Sequence, residues 1–288
     1  MHYHNTKTKL NLIQNIRLSI VLVLLVFIVG CKTTNTVPGK TIEVNNDSIY
    51  VIKTETDTLF DSFQRINLLI INKKFLTKHI IEIGYNNAEL EKTSQIAERN
   101  NAVAAVNGSF FDMDNSGSVA YFENNDSVIN RTMASELKWA KSESLINGVI
   151  ILTKKNKLNI QLADNDQYYE KSKKETFVLR SGPLLLSNSI PQKLPKNSTS
   201  KRNPRTCLCK TKESILFITI DGRAEKAEGM SFVEMQNYLL DLACIDAINL
   251  DGGGSTTMWT RKKGIVNNPS DKNGEREVAN AILLLENK

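Results

Sequence analysis

The chain has 288 residues, 41% of them hydrophobic and 24% charged. These proportions exclude collagen, low-complexity disorder and a multi-span membrane protein, and they leave room for one large domain or two small ones. Lys7, Lys9 and Arg17 stand apart at the start, and the remaining 34 bases against 31 acids are too balanced for a nucleic-acid binder.

Those three cations precede an apolar run from Leu18 to Gly30. As a helix this run spans about 20 Å at ~1.5 Å per residue, short of the roughly 30 Å hydrocarbon core of a bilayer. A basic start followed by a short apolar run is the pattern of an export signal. The junction Ile28-Val29-Gly30-Cys31 is similar to the lipobox of bacterial lipoproteins. That likeness implies lipidation of Cys31 and a protein exported and lipid-anchored to a bacterial membrane, in the periplasm or at the cell surface. Residues 1–30 are therefore expected to be a lipoprotein signal peptide, 31–48 a polar tether and 49–288 one folded domain.

Short β-rich runs are predicted at 49–54, 66–71 and 79–85. A helix over 88–100 follows, then a buried strand over 102–106 closed by Asn107-Gly108. Strand, helix and strand in this order predict a βαβ unit. Residues 112–205 alternate short strands (148–153, 158–162, 176–180 and 184–186) with two long loops, 112–118 and 188–204, of a length that often carries function. Residues 214–220 read as a strand buried on both faces, ending at Asp221-Gly222-Arg223. Ser231 and Glu234 have the spacing of a capping box, and Phe232, Met235, Leu239 and Leu242 give the helix that follows its apolar face. Residues 246–250 form a second buried strand, ending at Asp251-Gly252-Gly253-Gly254-Ser255. These elements predict an α+β fold whose central twisted mixed sheet is flanked by helices and contains βαβ units.

Of the three histidines only His79 follows the apolar run, which excludes a multi-histidine zinc site; it falls in a predicted strand and reads as structural. With Cys31 assigned to lipid, Cys207, Cys209 and Cys244 remain. An odd number implies no disulfide framework of the small secreted type; Cys207 and Cys209 alternate on one side of a predicted strand, where direct pairing would be strained, and are expected to be small buried apolar residues.

In a βαβ unit both strands run the same way, so Asp221 and Asp251 are expected to leave the sheet at one rim, where ligands of open α/β sheets bind. Adjacent strands would bring the carboxylates near the ~5–5.5 Å of a retaining glycosidase, whereas an intervening strand gives roughly 10 Å, nearer the inverting arrangement. Both spacings stay open. The three glycines suit either an anion-binding backbone nest or a simple tight turn.

In order, the chain carries Asn107-Gly-Ser-Phe-Phe-Asp112, Arg180-Ser-Gly-Pro-Leu184, Asn203-Pro-Arg-Thr206, Asp221-Gly-Arg223, Gly229-Met-Ser231, Asn249-Leu-Asp-Gly-Gly-Gly-Ser-Thr256, Asn267-Asn-Pro-Ser270 and Glu275-Arg276. From about residue 66 to residue 286 this series resembles the phosphodiester glycosidase family. The resemblance implies a single mixed α/β domain, catalytic over 49–288, and hydrolysis of a sugar-1-phosphodiester, of the N-acetylglucosamine-1-phosphodiester kind, to free sugar and a phosphomonoester. Asp251 and Asp221 become the candidate catalytic carboxyls, one as nucleophile or base at the anomeric carbon and the other orienting or protonating. Arg205 and Arg223, with Arg180 and Arg276 behind them, are the candidates for the phosphate, because guanidinium forks match its oxygens. Asn107, Gly182, Asn249, Gly252, Gly253, Gly254 and Ser255 complete the expected substrate-binding set.

No cofactor is firmly implied. One competing reading is a metal-dependent phosphodiesterase with Asp221, Asp251 and Asn249 around a divalent ion. The other is a non-catalytic surface lipoprotein that binds phosphorylated glycans. The expected partners are a phosphorylated glycan or sugar-1-phosphodiester and, through the N-terminal lipid, a membrane.

Overall fold

The computed structural model describes residues 50–114, 117–132, 145–195 and 200–287, with side chains from residue 58 onward. The expected signal peptide, Cys31 and the tether lie outside the described residues. In chain order the first half forms β1 (Tyr50–Leu59), β2 (Ser62–Asn72), a 3-10 turn (Lys73–Thr77), β3 (His79–Tyr85), β4 (Glu91–Lys92), α1 (Thr93–Arg99), β5 (Ala104–Asn107), β6 (Phe111–Asp112), β7 (Gly117–Ser118), β8 (Phe122–Asn124) and β9 (Ser127–Asn130). There follow β10 (Gly148–Thr153), β11 (Leu158–Leu162), α2 (Asp166–Lys171), β12 (Glu175–Ser181), β13 (Leu184–Ser187) and β14 (Ile190–Pro191). The last third holds β15 (Arg205–Lys210), β16 (Ser214–Ile220), α3 (Phe232–Asp241), β17 (Asp246–Asn249), β18 (Met258–Thr260), β19 (Gly264–Ile265), β20 (Glu277–Val278) and β21 (Asn280–Glu286).

A seven-stranded sheet has the order β1-β2-β16-β15-β17-β13-β14, and two five-stranded sheets have the orders β11-β10-β12-β8-β9 and β19-β18-β5-β21-β3. The strand pairings within them are antiparallel. This overturns the expected helix-flanked α+β domain. The protein is mostly β, with α-helices of only 7, 6 and 10 residues among the described residues.

Both expected βαβ units show why. β16 and β17 do run the same way, but β15 lies between them and pairs antiparallel with each. β3 and β5 are likewise parallel across β21. In each case a strand from elsewhere in the sequence fills the gap. The two-sided burial of these strands also has another cause than helices on both faces. Apolar clusters cover the seven-stranded sheet on each side: Leu69, Phe217, Leu208 and Ile248 on one, Ile66, Ile218, Cys207 and Met235 of α3 on the other. Each such side chain contributes roughly 1.5–3 kcal/mol by leaving water.

Local signals fare better than topology. The Ser231 hydroxyl accepts from the Glu234 N–H at 3.2 Å, and the Glu234 carboxylate accepts from the Ser231 N–H at 2.8 Å. α1 starts later than residue 88 because Lys92 and Glu91 pair with Glu277 and Val278. The Gln95 side chain then accepts from the Lys92 N–H and closes the first turn.

The cysteines depart from expectation. Cys209 and Cys244 form a disulfide, while Cys207 stays free and buried. β15 and the turn entering β17 bring the two Cα atoms within 6.0 Å across 35 residues of sequence, a separation no spacing rule announces. Closing a loop of this length restricts the unfolded chain by on the order of 3–4 kcal/mol. A Cys209→Ala, Cys244→Ala variant is expected to lose about that much unfolding free energy in a urea titration. A titration superimposable on the wild type would show that the bridge contributes nothing.

Candidate active site

Three strands of the large sheet meet at one rim. Arg205, where β15 begins, faces Ile220, where β16 ends, and Asn249, where β17 ends, faces Cys207. The strands leading to Asp221 and Asp251 are thus two spacings apart, roughly 10 Å. Asn107, fully buried at the end of β5, ties this rim to a neighbouring sheet. Its amide donates to the Asp251 carbonyl at 2.7 Å and accepts from the Thr206 hydroxyl at 2.7 Å and the Thr257 N–H at 3.0 Å. The Asp251 N–H donates to the Gly108 carbonyl. Asn249 donates to the Gly182 carbonyl at 2.7 Å, and Gly182 packs so tightly on the Leu145 carbonyl that a Cβ would collide with it.

The glycine turn bends into a 3-10 turn at Gly253–Ser255. Gly253 has a φ of +63°, and a Cβ there would stand 2.8 Å from the Arg223 guanidinium. A Cβ on Gly254 would collide with the Asp271 carboxylate and the Arg276 guanidinium. The missing side chains let two arginines close over this turn.

Asp251 sits beneath them, partly exposed. Burial pushes its carboxyl up to about 6, against the opposing pull of Ser255, the Gly252 N–H and the charges of Arg276 and Arg223. The Gly252 N–H donates to Oδ1 at 2.9 Å. The buried Ser255 hydroxyl approaches the carboxylate without closing a hydrogen bond of regular geometry. Asp251 and Arg276 form one wall of a cleft of about 460 Å³, and residues 110–114 form the other. A cleft of about 500 Å³ beside α1 is walled by Glu89, Glu91, Glu98 and Glu277, with Arg99, paired to Glu91, as its one cation. It holds none of the expected residues and would repel an anion.

Arg223 is exposed and takes a φ of +62°, a conformation that costs a non-glycine residue about 1–3 kcal/mol. Among the described residues no carboxylate lies within 4 Å of its guanidinium, whose Nη2 is 3.5 Å from Asn203 Oδ1. Arg276 is gripped by Asp271 through two hydrogen bonds of 2.7 and 3.0 Å.

The other expected residues stand behind this cleft. Asp221 is 2% exposed; its carboxylate accepts from the Asn268 N–H and lies 3.5 Å from Arg65 Nε. Burial pushes it up to about 6, which those two groups oppose. Arg205 is buried, donates to the carbonyls of Met230 and Lys201, and stacks 4.0 Å over the Phe232 ring. Burial, aided by Arg223, lowers it to about 10, so it stays a cation at neutral pH. Arg180 belongs to another sheet, paired at 2.8 Å with Asp166. His79 lies outside the cleft, its Nδ1 3.1 Å from the Phe75 carbonyl. The sequence reading had not assigned Phe110, Phe111, Asp112, Met113 and Asp114, although residues 107–112 stood among its motifs and 112–118 among its long loops. Among the described residues no three His, Cys, Asp or Glu side chains are grouped to hold a metal ion.

Because its carboxyl is raised above the ordinary 3.8, folded Asp221 holds its proton more tightly than the unfolded chain does. Its ionisation therefore removes stability as pH rises from about 4 to about 6. Asp221→Asn abolishes that loss, whereas the similar effect of Asp251 is common to both proteins. The melting temperature of the variant relative to the wild type is expected to climb across this window and then level. A difference independent of pH would show that Asp221 titrates normally.

Residues 100–285 match the family described as phosphodiester glycosidase, well over half of the chain. The SPbeta prophage-derived uncharacterized protein YomE of Bacillus subtilis is 29% identical over 125 residues, 42% of this chain and 19% of that protein; the match thus spans about a fifth of the relative's length. The fold is similar to the catalytic domain of zebrafish N-acetylglucosamine-1-phosphodiester alpha-N-acetylglucosaminidase auto-inhibited by its pro-peptide. That structure has a TM-score of 0.66 at 16% identity, over 85% of this chain and 86% of that one. A hypothetical protein from Synechocystis gives a TM-score of 0.58 at 12% identity, over 82% of this chain and 62% of that one. At such identities the likeness is one of fold alone. The sequence match itself is the stronger finding, and by it the chain belongs to the phosphodiester glycosidase family.

Proposed function

We propose that the protein hydrolyses the glycosidic bond of a sugar-1-phosphodiester, of the N-acetylglucosamine-1-phosphodiester kind, with Asp251 as the reacting carboxyl. One observation carries this reading: a carboxyl raised to about 6 on the wall of a cleft, with Arg223 and Arg276 near enough to pull it down. A carboxylate facing an anionic substrate needs cations beside it, because two uncompensated negative charges repel. Arg223, with no carboxylate within 4 Å among the described residues, offers its fork to the phosphate oxygens. Arg276, steadied by Asp271, adds positive potential on the same wall.

The Asp251 carboxylate then attacks the anomeric carbon, or takes a proton from the water that does. The electron pair of the bond from that carbon to the phosphate oxygen leaves with the phosphomonoester. This group is weakly basic, so its departure asks little of a general acid. Where Asp251 has bonded to the carbon, water then attacks that carbon and breaks the ester, freeing the carboxylate; on either route the water oxygen ends on the sugar and its released proton passes through Asp251 or the phosphomonoester to solvent. Asp221 acts as a positioning residue by holding Asn268. The neighbouring Asn267 accepts from the Met258 N–H and donates to the Thr256 carbonyl, and so braces the far side of the glycine turn. In this reading residues 1–30 are a lipoprotein export signal and Cys31 bears the lipid. The Cys209–Cys244 disulfide supports export, since such bridges persist in oxidising compartments.

Asp251→Asn is expected to lower kcat by about 10²–10⁴. Arg223→Ala should lower kcat/KM by roughly 10–100-fold, the worth of one charge-assisted hydrogen bond. Since the carboxylate is the reactive form, kcat/KM of the wild type should rise with pH and level off above about 6. In oxygen-18 water the label is expected in the released sugar; label in the phosphate, or near-normal turnover by Asp251→Asn, overturns the assignment. Incorporation of labelled palmitate should vanish in Cys31→Ala.

A further inference from the structure

The end of the molecule opposite the cleft carries an unbalanced positive charge. β16 runs from Ser214, which faces Asn72, to Ile220 at the cleft rim, so Asn72 and the 3-10 turn after it mark the far pole. The β10–β11 turn joins that pole, since the Asn156 side chain donates to the Leu76 carbonyl. The segment entering β12 lies beside it, held by the Lys154 N–H on the Lys174 carbonyl. The turn after β18 is there too: the Arg261 N–H donates to the Val103 carbonyl, and the Asn287 N–H to the Lys78 carbonyl.

These turns present Lys155, Lys157, Lys173, Lys174, Lys262 and Lys263, all exposed. Of the acids nearby, Asp126 pairs with Lys154, Asp246 with Lys210 and Glu286 with Arg261, while Glu213, whose carbonyl accepts from the Lys73 N–H, is exposed and adds one negative charge to this pole. Among the described residues none of the six ammonium groups has a carboxylate within 4 Å. At the cleft rim charges of both signs alternate instead, as in Arg276 with Asp271.

A second observation concerns the path of the chain. Tyr50 pairs with Ile70, two residues before Asn72, so β1 enters the fold at this basic pole. The apolar run of residues 18–30 lies upstream of that point. Only residues 31–49 separate the apolar run from that entry point, so along the chain the basic pole is the part of the described fold nearest to the run. No helix among the described residues is long and apolar enough to cross a membrane.

We propose that the lysine-rich pole docks on an anionic lipid bilayer and turns the Asp251 cleft outward. The inference rests on the reading that the N-terminal segment anchors the chain in a membrane. Each lysine within a Debye length of anionic headgroups, about 8 Å at physiological salt, is attracted to them. Six together would orient the body on such a surface.

The test uses the full chain reconstituted into vesicles of phosphatidylcholine alone or phosphatidylcholine with phosphatidylglycerol. Lysine acylation is then read by mass spectrometry. On the anionic vesicles the six lysines should be labelled about threefold less or lower still, with labelling restored as salt approaches 1 M. Lys226 and Lys272, exposed at the cleft end, should react equally on both. Lys155→Glu, Lys157→Glu and Lys173→Glu combined should abolish protection of Lys174 and Lys262, while turnover of a soluble sugar-1-phosphodiester in detergent stays unchanged. Equal labelling on the two vesicles, protection at Lys226 and Lys272 instead, or protection by soluble heparin but not by vesicles each overturns the proposal. A chain that fails to float with either vesicle does so as well. The labelling and flotation outcomes do not depend on whether the protein is a hydrolase; only the turnover control does.

Discussion

The buried amide of Asn107 is the joint on which the site depends. Its three hydrogen bonds reach the Asp251 carbonyl, the Thr206 hydroxyl and the Thr257 N–H. They therefore fasten the strand bearing the catalytic candidate to its neighbour β15 and to the segment leading into β18. A buried polar group left without its partner costs about 1–3 kcal/mol, and this one amide satisfies three such groups. The Asp251 carboxyl can stay partly exposed because its backbone is fixed from behind. Asn107 entered the sequence reading as a ligand for sugar or phosphate; its burial makes it a framework residue.

Two carboxyls on one rim reach the same raised value in different ways. Asp221 is desolvated by the protein, against a nearby arginine and a backbone N–H. Asp251 is desolvated beside the cleft, with two guanidinium groups and a hydroxyl opposing. Equal pKa values therefore do not imply equal roles, since access decides which group can meet a substrate. The parallel course of β16 and β17 puts both acids at the rim, and the β15 inserted between them is what allows their surroundings to differ.

What the sequence made legible was local. The Asp-Gly ends of β16 and β17, the Ser231–Glu234 capping box and the glycine turn all rest on residues near one another in the chain, and each appears where its pattern placed it. What stayed hidden was supplied from afar. β15 and β21 slip between strands that looked like βαβ partners, Cys209 meets Cys244 across α3, and residues 110–114 come round to face Asp251. Burial of a strand on both faces was a sound reading, but periodicity cannot say whether a helix or another apolar cluster does the covering. Arginine was the hardest residue type to place. Arg180, Arg205, Arg223 and Arg276 all lie in motifs, yet only the fold distinguishes those bonded to carbonyls or carboxylates from Arg223, which among the described residues has no carboxylate within 4 Å.

That arginine explains the glycines. Arg223 adopts a left-handed backbone conformation that disfavours it, and its guanidinium lies where a side chain on Gly253 would have to be. Arg276 and Asp271 occupy the corresponding space over Gly254. A larger residue at either position would displace a cation from the carboxyl below and let the Asp251 pKa rise further, toward a form that is neutral at physiological pH. The run of glycines thus acts on the acid indirectly. It clears the volume in which two positive charges can stand, and those charges keep a desolvated carboxyl ionisable in a cleft where an anionic substrate would otherwise suppress its ionisation.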